Sequence, residues 1–275
     1  MSEKIIAKDV KIGKNVFIGD NVEIRCKEKV YIGDNSVLTK DIKINCTSFE
    51  TGDYLYMTDG CEIGRGGSNG PNSRVKIGNN VGIFEGTIIN PSEEVTIGDN
   101  TGIGAEVMIW THGAWLDITQ GFPADFGSVT IGKNVWLPAR SVVLPNVSIG
   151  NNVVIGINSI INRSLPDGCF AAGSPCKVIK ENVYPKTLSK EDIKKLVVGI
   201  IDDWKKLIEF KGVTRTINVN YENEKIFLNQ SHYETIYDIQ EKTMNGYVND
   251  VAEDLRDYLR RRGIKIYTGG LFKSI

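Results

Sequence analysis

Residues 129–164 read VTIGKN, VWLPAR, SVVLPN, VSIGNN, VVIGIN and SIINRS, six consecutive units of six residues. Position one is aliphatic or small and position three is aliphatic, while position two points the other way. That alternation makes a short strand with one apolar face. A strand so short cannot bury its face alone. Stacked as the sides of a coil, many such strands pool their faces into one continuous core. Three units make one triangular coil, and coils repeat about every 4.8 Å, so Val and Ile form columns along the axis. Position four is usually Gly and position six usually Asn, residues that tolerate the backbone angles of a corner. The same phase recurs upstream in VKIGKN from Val10, VFIGDN from Val16, VYIGDN from Val30, VKIGNN from Val75, VTIGDN from Val95 and TGIGAE from Thr101. The pattern predicts a mainly β fold, a parallel β-helix of hexapeptide repeats.

Three segments interrupt the repeat. Residues 46–72 keep weak alternation at Tyr54 and Tyr56, then run into GRGGSNGPNS, which reads as a surface loop. Glu93 and Glu94 enlarge one corner, and residues 113–128 (GAWLDITQGFPADFGS) form a longer insertion. Insertions in solenoids gather on the binding face, which directs attention to the last one. These features delimit a β-helix domain at 1–180, with insertions at about 46–74 and 113–128, and a small α+β appendage at 181–275. In the appendage, Ser189 before Asp192 has the form of a helix cap, and Ile193, Leu196, Val197, Ile200, Ile201, Trp204, Leu207 and Ile208 trace one helical face. Strands are expected at 214–220, 225–229, within 234–244 and near 264–267, with a helix carrying Val251, Leu255 and Leu259.

A net charge of −1, from 33 basic and 34 acidic residues, offers nothing to nucleic acid or an anionic membrane. No stretch has the apolar length of a membrane span, and no secretory signal is evident. Five scattered cysteines without a CxxC read as reduced thiols of a cytoplasmic protein, and no metal site is expected.

The chain has two histidines. His232 has no motif around it and reads as structural. His112 closes the unit VMIWTH at the base of the long insertion, and imidazole is the side chain best suited to base work near neutral pH. His112 opening an extended loop, VTIGKNVW returning with Trp136, and the closing AAGSPCKVIK together resemble the hexapeptide-repeat acetyltransferases. The likeness is to their maltose/galactoside and surface-polysaccharide O-acetyltransferase branch, and it covers roughly residues 1–180.

The resemblance implies a left-handed coil, a homotrimer with sites between subunits, and acetyl-CoA as co-substrate without a metal. It implies His112 as general base for an acceptor hydroxyl of a sugar or surface glycan. Trp136, Ala139, Ile157, Arg163, Lys177 and Lys180 are the cofactor-binding candidates, and Glu85, Asn90, Trp110, Trp115 and Asp117 the acceptor-binding ones. Leu137-Pro138-Ala139 and Gly156-Ile157-Asn158 depart from the family's usual glycines, and Ile157 narrows the expected cleft. An N-acetyltransferase of an amino sugar or nucleotide-linked amino sugar uses the same fold and base. A non-enzymatic β-helical scaffold is the alternative of another class, and it predicts no need for His112. A zinc-dependent carbonic anhydrase of this fold needs three histidines, one more than the chain has.

Overall fold

The computed structural model describes residues 5–66, 70–213 and 217–275. The middle of the Gly-rich loop, residues 67–69, and the beginning of the strand expected at 214–220 lie outside the described residues. The chain divides into two compact units, Met1–Lys186 and Thr187–Ile275.

The first unit is a coil of parallel strands with three faces. One face stacks Arg74–Ile77, Val95–Ile97, Val129–Ile131 and Ser148–Ile149. The next stacks Phe17–Ile18, Val37–Leu38, Tyr56–Met57, Gly82–Ile83, Gly102–Ile103, Trp136–Leu137, Val154–Ile155 and Phe170–Ala172. The third stacks Glu62–Ile63, Ile88–Asn90, Met108–Trp110, Val142–Val143 and Ile160–Ile161. Two long strands, Glu23–Ile32 and Lys43–Thr51, continue from the third face onto the first. The repeat therefore runs through Cys46 to Ile63, and the loop expected from residue 46 begins only at Gly64.

Register follows the hexapeptide phase. Val95 lies between Val75 and Val129, and Ile97 between Ile77 and Ile131, all buried. Each such side chain taken out of water contributes about 1.5–3 kcal/mol. The first coil is the exception. Val10 and Ile12 align with Val30 and Ile32, yet they are 43% and 41% exposed. A terminal coil has a neighbour on one side only, so its inward residues lose half their cover.

Corners explain the asparagines. Asn15, Asn35, Asn80, Asn100, Asn134 and Asn152 all have φ between 54° and 59°. Their side chains form a ladder from coil to coil: Asn80 Nδ2 donates to Asn100 Oδ1 at 2.7 Å, Asn100 Nδ2 to Asn134 Oδ1 at 2.6 Å, and Asn134 Nδ2 to Asn152 Oδ1 at 2.9 Å. Glycine at position four answers a different need. A Cβ on Gly98 would stand 2.6 Å from the Gly132 carbonyl carbon of the next coil.

The second unit packs the helices Lys190–Phe210 and Asp250–Arg260 with the antiparallel sheet Ile217–Glu222, Lys225–Gln230, Tyr233–Asp238, Thr243–Gly246. Ser189 caps the first helix by accepting from the Asp192 amide, and Val197, Ile201, Trp204 and Ile208 are buried along it. Leu196, expected on the same face, is 56% exposed. The strand expected near 264–267 does not form. Ile266 is buried in the core, and its carbonyl accepts from Arg256 Nη1 at 3.2 Å, which removes the need for a partner strand. His232 is exposed.

Candidate active site

Among the described residues, the interruptions fall at the corner between the third and first faces: 64–66 with 70–73, 91–94 and 112–128. His112 opens the last of these. It pairs with Phe126 across a two-residue antiparallel ribbon, His112–Gly113 against Asp125–Phe126, which closes the neck of the insertion. The Phe126 ring stacks on the imidazole at 5.6 Å between centroids, and Trp110 meets it edge-on at 6.3 Å.

Behind the half-buried His112 stands Asn90, one coil earlier and fully buried. Asn90 Oδ1 lies 2.8 Å from His112 Nδ1, and Ser92 Oγ lies 3.0 Å from the same nitrogen. Asn90 Nδ2 donates to the carbonyls of Gly64 and Gly66, both at 3.0 Å. Thr111 fastens the two corners together, donating to the Asn90 carbonyl at 2.8 Å and accepting from the Glu93 amide at 3.0 Å. The ring is therefore held by its Nδ1 edge, a constellation that can position a base.

Asn90 was expected to meet an acceptor. It has no exposed surface, and its side chain is taken up by His112 and the Gly64 and Gly66 carbonyls instead. Asp117 is likewise spent: it caps the short helix Ile118–Gln120, accepting from the Thr119 amide at 2.9 Å and the Thr119 hydroxyl at 2.7 Å. Those two bonds, the hydroxyl's foremost, hold its carboxyl below the usual carboxylate range. Trp115 is 95% exposed on the same insertion.

The cofactor candidates divide between two edges of the coil. Trp136 stands on the second face. Its ring covers Gly102 of the preceding coil so closely that a Cβ there would lie 2.7 Å from Trp136 Cε3. Ala139 and the exposed Ile157 follow at the corner leading to the third face, and Glu85 occupies the same corner two coils before Ala139. Lys177 and Lys180 are exposed on the closing strand Lys177–Lys180, which pairs with Phe170–Ala172 on the Trp136 face. Arg163 lies instead at the corner that carries His112. Within one chain, the strand Met108–Trp110 and its flanks separate the Trp136 and His112 edges by roughly 15–20 Å, at about 3.3 Å per residue.

Ser92, Thr111 and Phe126 escaped the sequence reading. Ser92 had a signal: its 20-residue offset from His112 is one coil at this level. Among the described residues, no group of three or more His, Cys, Asp or Glu side chains is placed to hold a metal ion, and no helix is long and apolar enough to cross a membrane.

A family model for bacterial transferase hexapeptide (six repeats) matches residues 128–163, and one for the hexapeptide repeat of succinyl-transferase matches residues 9–39. WbbJ of Escherichia coli K12, provisionally named a lipopolysaccharide biosynthesis O-acetyl transferase, is 30% identical over 164 residues, 53% of this chain and 84% of WbbJ. The chain belongs to the hexapeptide-repeat acetyltransferase family. A provisionally named acetyltransferase of Saccharomyces cerevisiae, YJL218W, is 38% identical over 112 residues, covering 40% of this family member and 57% of that protein. The galactoside O-acetyltransferase of E. coli is 49% identical over 53 residues, 19% of this chain and 26% of its own length. Among solved structures, the polySia-specific acetyltransferase NeuO matches at 22% identity and a TM-score of 0.44, over 69% of this chain and 92% of that one, too slight a likeness to bear on function.

Proposed function

We propose that this protein is an acetyl-CoA-dependent O-acetyltransferase, acting on a hydroxyl of a sugar or surface glycan with His112 as general base. The carrying observation is the buried Asn90 oxygen 2.8 Å from His112 Nδ1, which leaves Nε2 free to receive a proton. The acceptor oxygen gives its proton to Nε2 as it attacks the acetyl carbonyl. The tetrahedral oxyanion takes hydrogen bonds from backbone N–H groups, and its collapse expels the CoA thiolate, which recovers the proton from the imidazolium. Two relatives are named for O-acetyl transfer, one to galactosides and one in lipopolysaccharide biosynthesis, which favours a hydroxyl over an amine.

The working form in this reading is a homotrimer of left-handed coils, located in the cytoplasm where acetyl-CoA is made. Two features support the assembly. Beyond the charged Glu62, the outward residues on the third face run as an apolar column, Ile88, Met108, Val142 and Ile160, whereas those on the first face are Lys76, Thr96, Thr130 and Ser148. The insertion also exposes Trp115, Leu116, Ile118, Phe122 and Phe126, a cluster suited to cover by another subunit. Since the Trp136 and His112 edges are apart in one chain, a site using both joins two copies. Acetyl-CoA lies along the Trp136 edge, with Lys177 and Lys180 toward its phosphates, and Trp110 and Trp115 frame the acceptor.

The test is transfer from labelled acetyl-CoA to a panel of glycans and amino sugars. Base-labile product is expected, and His112→Ala should lower turnover by roughly 10²–10⁴-fold with CoA affinity and trimer mass kept. A base-stable amide would move the acceptor to an amine. An unchanged rate in His112→Ala would overturn the assignment of the base.

A further inference from the structure

A neutral imidazole has one nitrogen that donates and one that accepts, and only the accepting one removes a proton. The groups behind His112 decide which is which. An amide nitrogen has two hydrogens, and Asn90 Nδ2 spends both on the carbonyls of Gly64 and Gly66. Turning the amide over would set its oxygen against two carbonyl oxygens with the whole group buried, which is costly. The atom facing His112 is therefore Asn90 Oδ1, which can only accept. Ser92 Oγ stands 3.3 Å from that oxygen and can donate to it, while its lone pairs face the same ring nitrogen. Both neighbours of Nδ1 thus act as acceptors, and Nδ1 must carry the hydrogen.

We propose that Asn90 and Ser92 are positioning residues that hold His112 in its Nδ1–H form, and that Asn90 ties this tautomer to the backbone at Gly64 and Gly66. A histidine free in water favours the opposite form, which would present a donor at Nε2 where an acceptor is needed. Without the pair, the base would be present but wrongly protonated. The catalytic consequence rests on the acetyl-transfer reading; the tautomer is a property of the unliganded protein and does not.

The chain's two histidines make a direct test practical. Long-range ¹H–¹⁵N correlation on the full chain with ¹⁵N-labelled histidine, at a pH where both rings are neutral, reports the protonated nitrogen of each. His232→Ala assigns the signals, since His232 is exposed and belongs to the second unit. His112 is expected as Nδ1–H, and His232 mainly as Nε2–H. Ser92→Ala should shift His112 partly, and Asn90→Ala further, toward Nε2–H. Asn90→Ala should also lower kcat roughly tenfold with the KM for acetyl-CoA held within about twofold, as loss of the active tautomer demands. An Nε2–H ring in the wild-type protein overturns the proposal without any variant. So does a folded Asn90→Ala, Ser92→Ala double variant that keeps Nδ1–H. An Nδ1–H ring that depends on Asn90, in a protein that acetylates no acceptor, would uphold the positioning pair and sink the enzymatic reading alone.

Discussion

Asn100 offers the sharpest test of why the coil turns where it does. Its φ of 59° is a left-handed conformation, and its side chain joins the ladder at both ends, to Asn80 at 2.7 Å and Asn134 at 2.6 Å. Asn100→Ala removes two exposed hydrogen bonds, about 0.5 kcal/mol each. It also forces a Cβ-bearing residue that tolerates this region poorly into it, about 1–2 kcal/mol. The total is about 2–3 kcal/mol. Asn100→Gly loses the same bonds without that strain, but loosens the unfolded chain by about 0.4–1 kcal/mol, for a total of about 1.5–2. Glycine should therefore be the milder substitution, by about 0.5–1 kcal/mol, although it removes more atoms. Urea unfolding followed by circular dichroism, at one fixed chain concentration so that assembly contributes equally, gives both differences. Alanine as stable as glycine would refute the conformational argument. Two variants at wild-type stability would refute the ladder as well.

Two other expectations follow from packing. Gly102→Ala puts a Cβ 2.7 Å from Trp136 Cε3 and lifts the ring off the sheet. Acetyl-CoA should then bind roughly 5–10-fold more weakly, about 1 kcal/mol, with the unfolding midpoint nearly unchanged. Equal affinity by calorimetry would remove Trp136 from the cofactor path. Desolvation pushes the buried Cys61 thiol up to about 11 from an ordinary 9.0. The unfolded chain thus loses this proton first as pH rises. The stability from keeping the thiol neutral is present below pH 9 and lost through pH 11, on the order of 3 kcal/mol. Cys61→Val should lose less stability than wild type between pH 8 and 10.5, and a parallel decline would contradict the assignment.

The strands of the coil were legible because one periodicity encodes them. Valine at position one and isoleucine at position three both mark a strand and set its register, as at Val75, Val95 and Val129. Where that signal stopped, so did legibility. Val10 and Ile12 carry the same letters but lie at the end of the stack, and only the number of neighbouring coils distinguishes them. Asp117 was visible as a carboxylate near the insertion, but its use as a cap depends on a local turn. Residues 264–267 had the composition of a strand, and the Arg256 guanidinium of the helix Asp250–Arg260 took the carbonyl that a strand would have paired.

The sequence by itself determined the coil, its corners and the position of His112, because each depends on residues close together in a repeating register. Tertiary structure alone decided what the histidine can do. Asn90 and Ser92 reach its Nδ1 from one coil away, and Gly64 and Gly66 hold the Asn90 amide from one coil further still. A hydrogen bond depends on the distance and direction of particular atoms, and those are set only when the coils stack.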